Sequence, residues 1–511
     1  MDWRRIAGLS LLAFGLAGAA GAAEKAALAD AAEQRNAALF RKLLDAGADV
    51  NAAQVDGMTA LHWAVYNDDV ATARMLVRAG AKVNAANRYG VPPLSLACTN
   101  GNADLVKLLL EAGADANATL PGGETVLMTA ARVGNVDAVK SLLARSADPN
   151  AREESGQTAL MWAAVEGHPE VVRALIDRGA DVRAKVASGF TPLFFAAREG
   201  HIDVVRAVLE AGANVNETIE PVNSSQDRRA GIRKGTSPLL MAIVNGHFEL
   251  AIALVEAGAD PNDERTGFTP LHTITWVRRP DNSDGGLPPP VGSGRLASLQ
   301  FVRALVKRGA NVNARLDENA PRPPSVQTKV RSGGATPFLM ATDRADVPLM
   351  RLLLELGADP TLPNVDNSTP LMVAAGLGTS APDEEAGASE PDALEAVKIL
   401  LDLGADVNAV DYNGNTAMHG AAYSSLPAVV QLLADRGAKP ELWNRPNSDA
   451  VTPLYIAEGY RYPRPIVSRP TIEAIQRLML AKGIPTDGPR PAIRDIYEKK
   501  LPDPSKEPKK P

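Results

Sequence analysis

Gly189-Phe190-Thr191-Pro192-Leu193-Phe194-Phe195-Ala196-Ala197, continued by Gly200-His201 and closed by Gly212-Ala213-Asn214-Val215-Asn216, is one copy of a phrase that recurs along the 511 residues. With the threonine or its substitute as the marker, Thr59, Pro92, Thr125, Thr158 and Thr191 follow one another at steps of 33. The closing glycine keeps the same beat at Gly47, Gly80, Gly113, Gly179 and Gly212, with Ser146 standing in once. It returns at Gly258, Gly309, Gly357, Gly404 and Gly437. A shared period of that length marks a repeat architecture and overrides the several globular domains that length alone implies.

Each position has a physical reason. Thr191 caps a helix through its hydroxyl, and Pro192 sits in the first turn, where no N–H is required. Ala196-Ala197 keep that helix thin, and Gly200 ends it where a left-handed backbone is least costly. A second helix over 203–211 places Val204, Val205, Val208 and Leu209 on one apolar side and stops at Gly212. One such pair cannot bury its apolar side alone, so a continuous stacked solenoid is expected.

These residues resemble the ankyrin repeat. The resemblance covers 24–482 and implies an all-α solenoid of about eleven or twelve helix-turn-helix units joined by β-hairpin loops. A first unit, Ala26 to Asn51, lacks the Thr-Pro-Leu-His phrase, as expected of a terminal cap. The resemblance also implies a non-enzymatic scaffold that binds one or more proteins in the groove between hairpins and inner helices.

Residues 1–23 differ in kind: Arg4-Arg5, an apolar run from Ile6 to Ala20, then Gly21-Ala22-Ala23. The pattern reads as a secretory signal peptide cut after Ala22 or Ala23, leaving no membrane insertion. Ala7-Gly8 stand where a twin-arginine signal wants bulky apolar residues, so ordinary secretion is expected. Cys98 is the one cysteine, so no internal disulfide forms and no lipid-anchoring cysteine follows the cut. Richness in Ala, Gly, Pro and Arg points to a bacterial source, hence to a periplasmic or secreted monomer. The net charge of −6 becomes −7 once the segment holding Asp2, Arg4 and Arg5 is removed, which disfavours nucleic acid as a partner. The stretch 483–511, with seven prolines, is expected to be a disordered tail.

Insertions interrupt the beat. Thr191 to Ser237 is 46, Thr269 to Thr336 is 67 and Thr369 to Thr416 is 47. The extra residues fall at 217–234 and 314–333, read as hairpin tips, and at 277–295 and 379–391, read as lying between two helices of a unit. The hairpin insertions carry Arg228, Arg229, Arg233 and Lys234 in one case, and Arg315, Arg322, Lys329 and Arg331 in the other. They are expected to form one basic patch for an acidic partner surface, against the alternative of merely tolerated loops.

The residue after the histidine slot looks into the groove in ankyrin proteins. That row reads Trp63, Leu96, Thr129, Trp162, Phe195, Met241, Thr273, Met340 and Val373. In a chain with 4% aromatics, Trp63 with Tyr66, and Trp162 with Phe195 and Arg198, stand out as partner contacts, because Trp, Tyr and Arg dominate binding hot spots. Inter-repeat packing is the competing use of the same row.

Little is left over for catalysis. His62, His272 and His419 occupy the helix-start slot, and His168, His201 and His247 follow or pair with the inter-helix glycine. Asp49, Asp115, Asp148, Asp181, Asp260, Asp359 and Asp406 share the closing turn. No metal site, no cofactor and no catalytic residue is expected, and the glycines at Gly376 and Gly378 follow a helix where a dinucleotide site needs a strand. Two alternatives stay open: a secreted effector that binds a host protein, and a hydrolase with its acids in the insertions.

Overall fold

The computed structural model describes residues 26–220, 233–279, 289–323, 330–378, 389–460, 466–488 and 490. The stretch read as a signal peptide, residues 221–232 with Arg228 and Arg229, Lys329, most of 379–391 and the end of the chain lie outside the described residues. The chain divides into two units, one up to Asn214 and one from Val215.

The N-terminal unit is a stack of helix pairs, from Ala27–Glu33 with Ala37–Asp45 to Pro192–Glu199 with Ile202–Glu210. The inner helices start as their sequences require: Thr59, Thr125, Thr158 and Thr191 each accept an N–H three residues on. The outer helices are capped in the same way by Asn36, Asp69, Asn102 and Asn135. The core lies between successive pairs, where Leu61, Leu94, Leu127, Leu160 and Leu193 are buried one above the next.

In the C-terminal unit the pairs run from Pro238–Val244 with Phe248–Glu256 to Pro453–Ala457 with Arg469–Ala481, plus the short helix Pro440–Trp443. Two insertions separate the helices of a pair: Pro270–Arg278 from Ser298–Lys307, and Pro370–Ala374 from Glu390–Asp402. Val277 and Arg278, read as insertion, belong to the first helix. The end of that insertion packs back on the preceding pair. Ser293 N–H donates to His247 Nδ1 at 2.8 Å, and a Cβ on Gly292 would lie 1.9 Å from the carbonyl oxygen of Gly246.

The hairpins contain no strand among the described residues; single antiparallel bridges, Ala53 with Thr59 and Thr119 with Thr125, are what remains of pairing. Side chains close the turns instead. Asn87 Oδ1 takes the N–H groups of Tyr89 and Val91, and Asp411 Oδ1 those of Asn413 and Asn415. Between repeats runs an asparagine ladder. Asn51, Asn84, Asn117 and Asn150 accept the N–H of Lys82, Asp115, Asp148 and Asp181, and donate to the carbonyls of Gly80, Gly113, Ser146 and Gly179. The C-terminal unit repeats the device at Asn216, Asn262, Asn313 and Asn408.

Residues 483–488 and Arg490, read as part of a disordered tail, are placed against the last pair. Arg490 reaches Glu458 at 2.6 Å and lies over the Tyr455 ring at 5.1 Å, because its guanidinium finds both a carboxylate and a π face there.

Candidate protein-interaction groove

The caps set the register of the groove. Residues four and seven positions after each cap share one helix face, because positions three apart are neighbours. In the N-terminal unit these slots place Trp63 beside Tyr66, with ring centroids 5.6 Å apart, edge to face. Trp63 Nε1 donates to Gln54 Oε1 at 2.7 Å, tying the inner helix to its own hairpin, while Tyr66 is 50% exposed.

Three repeats further on, Trp162 is half-buried and the Arg132 guanidinium lies over its ring at 5.7 Å. Glu124 holds Arg132 at 3.4 Å and accepts the Thr129 hydroxyl at 2.9 Å. The indole Nε1 of Trp162 has no hydrogen-bond partner among the described residues.

Phe195 is placed differently from the surface contact expected of it. It is 6% exposed, under Phe190 at 5.3 Å and the Arg198 guanidinium at 5.4 Å, so its ring supports Arg198 instead of meeting solvent. Arg198 also pairs with Glu199 at 2.7 Å. Along the rest of the row, Leu96 and Met340 are half-buried, and Thr129, Met241, Thr273 and Val373 are buried between repeats.

The described basic hairpin residues of the C-terminal unit are brought together but are mostly engaged. Arg233 Nη2 donates to the Arg322 carbonyl at 2.6 Å and its guanidinium lies over Phe268 at 5.4 Å. Burial there pushes the Arg233 pKa below its ordinary value. Lys234 pairs with Glu220 at 3.1 Å, Arg331 with Asp366 at 3.2 Å, and Arg315 donates to the Pro363 carbonyl at 2.8 Å; Arg322 is exposed. The two hairpin stems therefore touch, and much of their charge is neutralised locally.

The histidines are structural. Thr59 N–H donates to His62 Nδ1 at 3.2 Å, so Nε2 carries the proton and donates to Val91 O at 3.1 Å, in the next repeat. His272 reaches Ala335 O and His419 reaches Arg445 O in the same manner, and burial lowers both to a pKa of about 4. His168 lies flat on Gly134, where a Cβ would come within 2.5 Å of the ring, and bonds Arg132 O at 3.1 Å. His201 bonds Val165 O at 2.9 Å and His247 bonds Ser293. The seven turn aspartates each accept the N–H two residues on, as their slot implies. Burial raises Cys98 to a pKa of about 12, so its thiol is unreactive. Among the described residues no three His, Cys, Asp or Glu side chains are placed to hold a metal, and no helix is long and apolar enough to cross a membrane.

With that geometry in view, the chain matches the family of ankyrin repeats (3 copies) over 28–120 and 127–219, ankyrin repeats (many copies) over 388–434, and the single ankyrin repeat over 234–265. Together these spans exceed half of the residues. The chain is an ankyrin repeat protein. Among curated proteins, this ankyrin chain is 37% identical over 62 residues to a putative ankyrin repeat protein FPV219 of fowlpox virus (strain NVSL), a stretch that is 12% of this chain and 14% of that protein. It is 41% identical over 51 residues to protein fem-1 homolog A of Rattus norvegicus, which is 10% of this chain and 8% of that one. The matches thus span a small part of either relative. Among solved structures, the human ASB11 ankyrin repeat domain aligns at 28% identity and a TM-score of 0.39, over 46% of this chain and 98% of that domain. As an ankyrin repeat protein the chain has the architecture of a protein-interaction scaffold, and its fold is an all-α ankyrin solenoid.

Sequence reading missed the asparagine ladder and Arg344, a side chain only 10% exposed at the end of an inner helix of the C-terminal unit. The ladder was visible as an Asn two residues after the turn Asp, but its partners lie in the next repeat. Arg344 carries no periodic signal.

Proposed function

We propose that the chain is a non-enzymatic scaffold acting outside the cytoplasm, in the periplasm or after secretion, and that it binds its protein partner in the groove of the N-terminal unit. One observation carries the reading. Arg132 and Trp162 present a stacked cation and a half-exposed indole ring at groove slots, with the indole Nε1 itself enclosed. Trp and Arg in such partly desolvated settings contribute disproportionately to protein association. The six histidines and the seven turn aspartates are engaged in the architecture, and Glu220, an insertion carboxylate, faces Lys234.

The test is cross-linking of the tagged protein in its native envelope fraction, followed by mass spectrometry, beside Trp162→Ala. One or a few partners captured by the parent and lost in the variant, with its melting temperature little changed, support the reading. No distinct capture by the parent, or equal capture by both, sinks it.

A further inference from the structure

Arg344 is a buried cation that the fold positions and does not satisfy. Its side chain is 10% exposed, and Nη2 has no acceptor among the described residues. The nearest carboxylate paired with it is Asp343, 4.0 Å from Nε. A buried donor left in this state is destabilising, so a native structure retains it only with a reason.

The backbone beneath it is held firmly. Arg279 Nη1 donates to the carbonyls of Arg344 and Ala345 at 3.1 and 3.0 Å. The next residue, Asp346, is clasped by Arg278 at 2.8 and 3.1 Å. The guanidinium is therefore aimed from a fixed elbow.

What it faces is a pocket lined also by Thr275, Trp276, Arg331, Ser332 and Met340. Met340 holds the same slot as Trp162, so this pocket is the groove of the C-terminal unit. Trp276, edge-on to Phe268 at 5.0 Å, makes an apolar wall. The Thr275 hydroxyl is already committed to the His272 carbonyl at 2.7 Å.

We infer that the pocket receives a carboxylate of the bound protein, presented beside an apolar side chain. A guanidinium fork matches a planar carboxylate, and such charge-assisted hydrogen bonds strengthen where water is excluded. Arg331, also in the lining, is paired with Asp366 at 3.2 Å, so Arg344 is the cation that the pocket offers. The inference rests on the reading of the chain as a protein-binding scaffold and adds a second groove contact with a stated chemistry.

The test is ligand-observed NMR on the full chain with N-acetyl-leucyl-glutamate amide, its glutamine counterpart, N-acetyl-leucine and phenyl phosphate. The glutamate probe is expected to bind roughly tenfold more tightly than the glutamine probe, and Arg344→Met to abolish the difference. The melting temperature of Arg344→Met is expected to equal or exceed that of the parent, because a buried donor without an acceptor is removed and the ion pair lost with it is a long one. If N-acetyl-leucine binds more tightly than the glutamate probe, the carboxylate is a chain terminus and not an acidic side chain, and the inference stands. Equal binding of the glutamate and glutamine probes, a preference that survives Arg344→Met, or tighter binding of phenyl phosphate overturns it. A lowered melting temperature with unchanged probe binding gives Arg344 a structural role and overturns it as well. If a cross-linked partner is captured equally by the parent and Arg344→Met and the probes show no carboxylate preference, the carboxylate site fails while the scaffold reading survives.

Discussion

Arg278 and Asp346, 68 residues apart in sequence, are joined by two hydrogen bonds of 2.8 and 3.1 Å with side chains only 15% and 1% exposed. Asp346 also caps the helix Val347–Glu355 through the N–H of Leu349. The same carboxylate thus starts one helix and anchors the end of another across an insertion.

Arg278→Met should therefore leave a buried carboxylate without its cation. Losing one partner of a buried pair costs about 3–5 kcal/mol, so denaturant unfolding should report a loss of that order. The doubly substituted Arg278→Met, Asp346→Asn protein should recover part of it; a loss under about 1 kcal/mol in the single variant would place the pair in the weak, exposed class instead.

Acid should destabilise the C-terminal unit. Burial holds His272 and His419 neutral with a pKa of about 4, below the ordinary imidazole value of 6.5. The unfolded chain binds the extra protons between those values. Their contribution is therefore complete above pH 6.5 and is lost as the pH falls towards 4, on the order of 3 kcal/mol for each group. Stability measured from pH 7 to pH 4 should fall, and His272→Gln should flatten part of that slope.

Ser146 stands where the other closing turns place glycine, with φ +62°. Ser146→Gly should relieve the left-handed strain and raise stability by about 0.5–1 kcal/mol, since this backbone is unfavourable for a side chain. Thermal unfolding of the variant should show an upward shift; an unchanged or lower midpoint counts against strain at this turn.

Arg183 occupies the ladder slot held by Asn51, Asn84, Asn117 and Asn150, and donates to the Gly212 carbonyl at a long 3.3 Å. Arg183→Asn supplies the acceptor that arginine lacks and should stabilise the N-terminal unit by up to about 1 kcal/mol. Hydrogen exchange at residues 211–214 should slow correspondingly.

Trp162→Phe separates the two uses of the indole. The ring volume is largely kept while Nε1 is removed, so stability should change by less than about 1 kcal/mol. Partner capture should nevertheless weaken, because the smaller ring loses part of the indole's groove face, and a stability loss with undiminished capture would show that Trp162 serves inter-repeat packing.

Much of the fold was legible because its determinants are local. Thr191 caps its own helix, Asp181 closes its own turn two residues on, and His62 bonds the next repeat at a distance fixed by the period. The groove row was legible as a row, but the state of each member was not. Phe195 is covered by Phe190 and Arg198, whereas Trp162, in the same slot one repeat earlier, is half-exposed, and no periodic rule distinguishes them.

The repeat, its caps and turns, and the structural employment of histidines and aspartates follow from the order of residues, because those interactions recur at constant spacing. Tertiary structure alone decided that Arg233 reaches the Arg322 carbonyl, that Arg278 clasps Asp346, and that Arg344 is left with an unused donor in the groove. These contacts join segments across insertions of unequal length, where the period no longer fixes which side chains meet and burial depends on every neighbour at once.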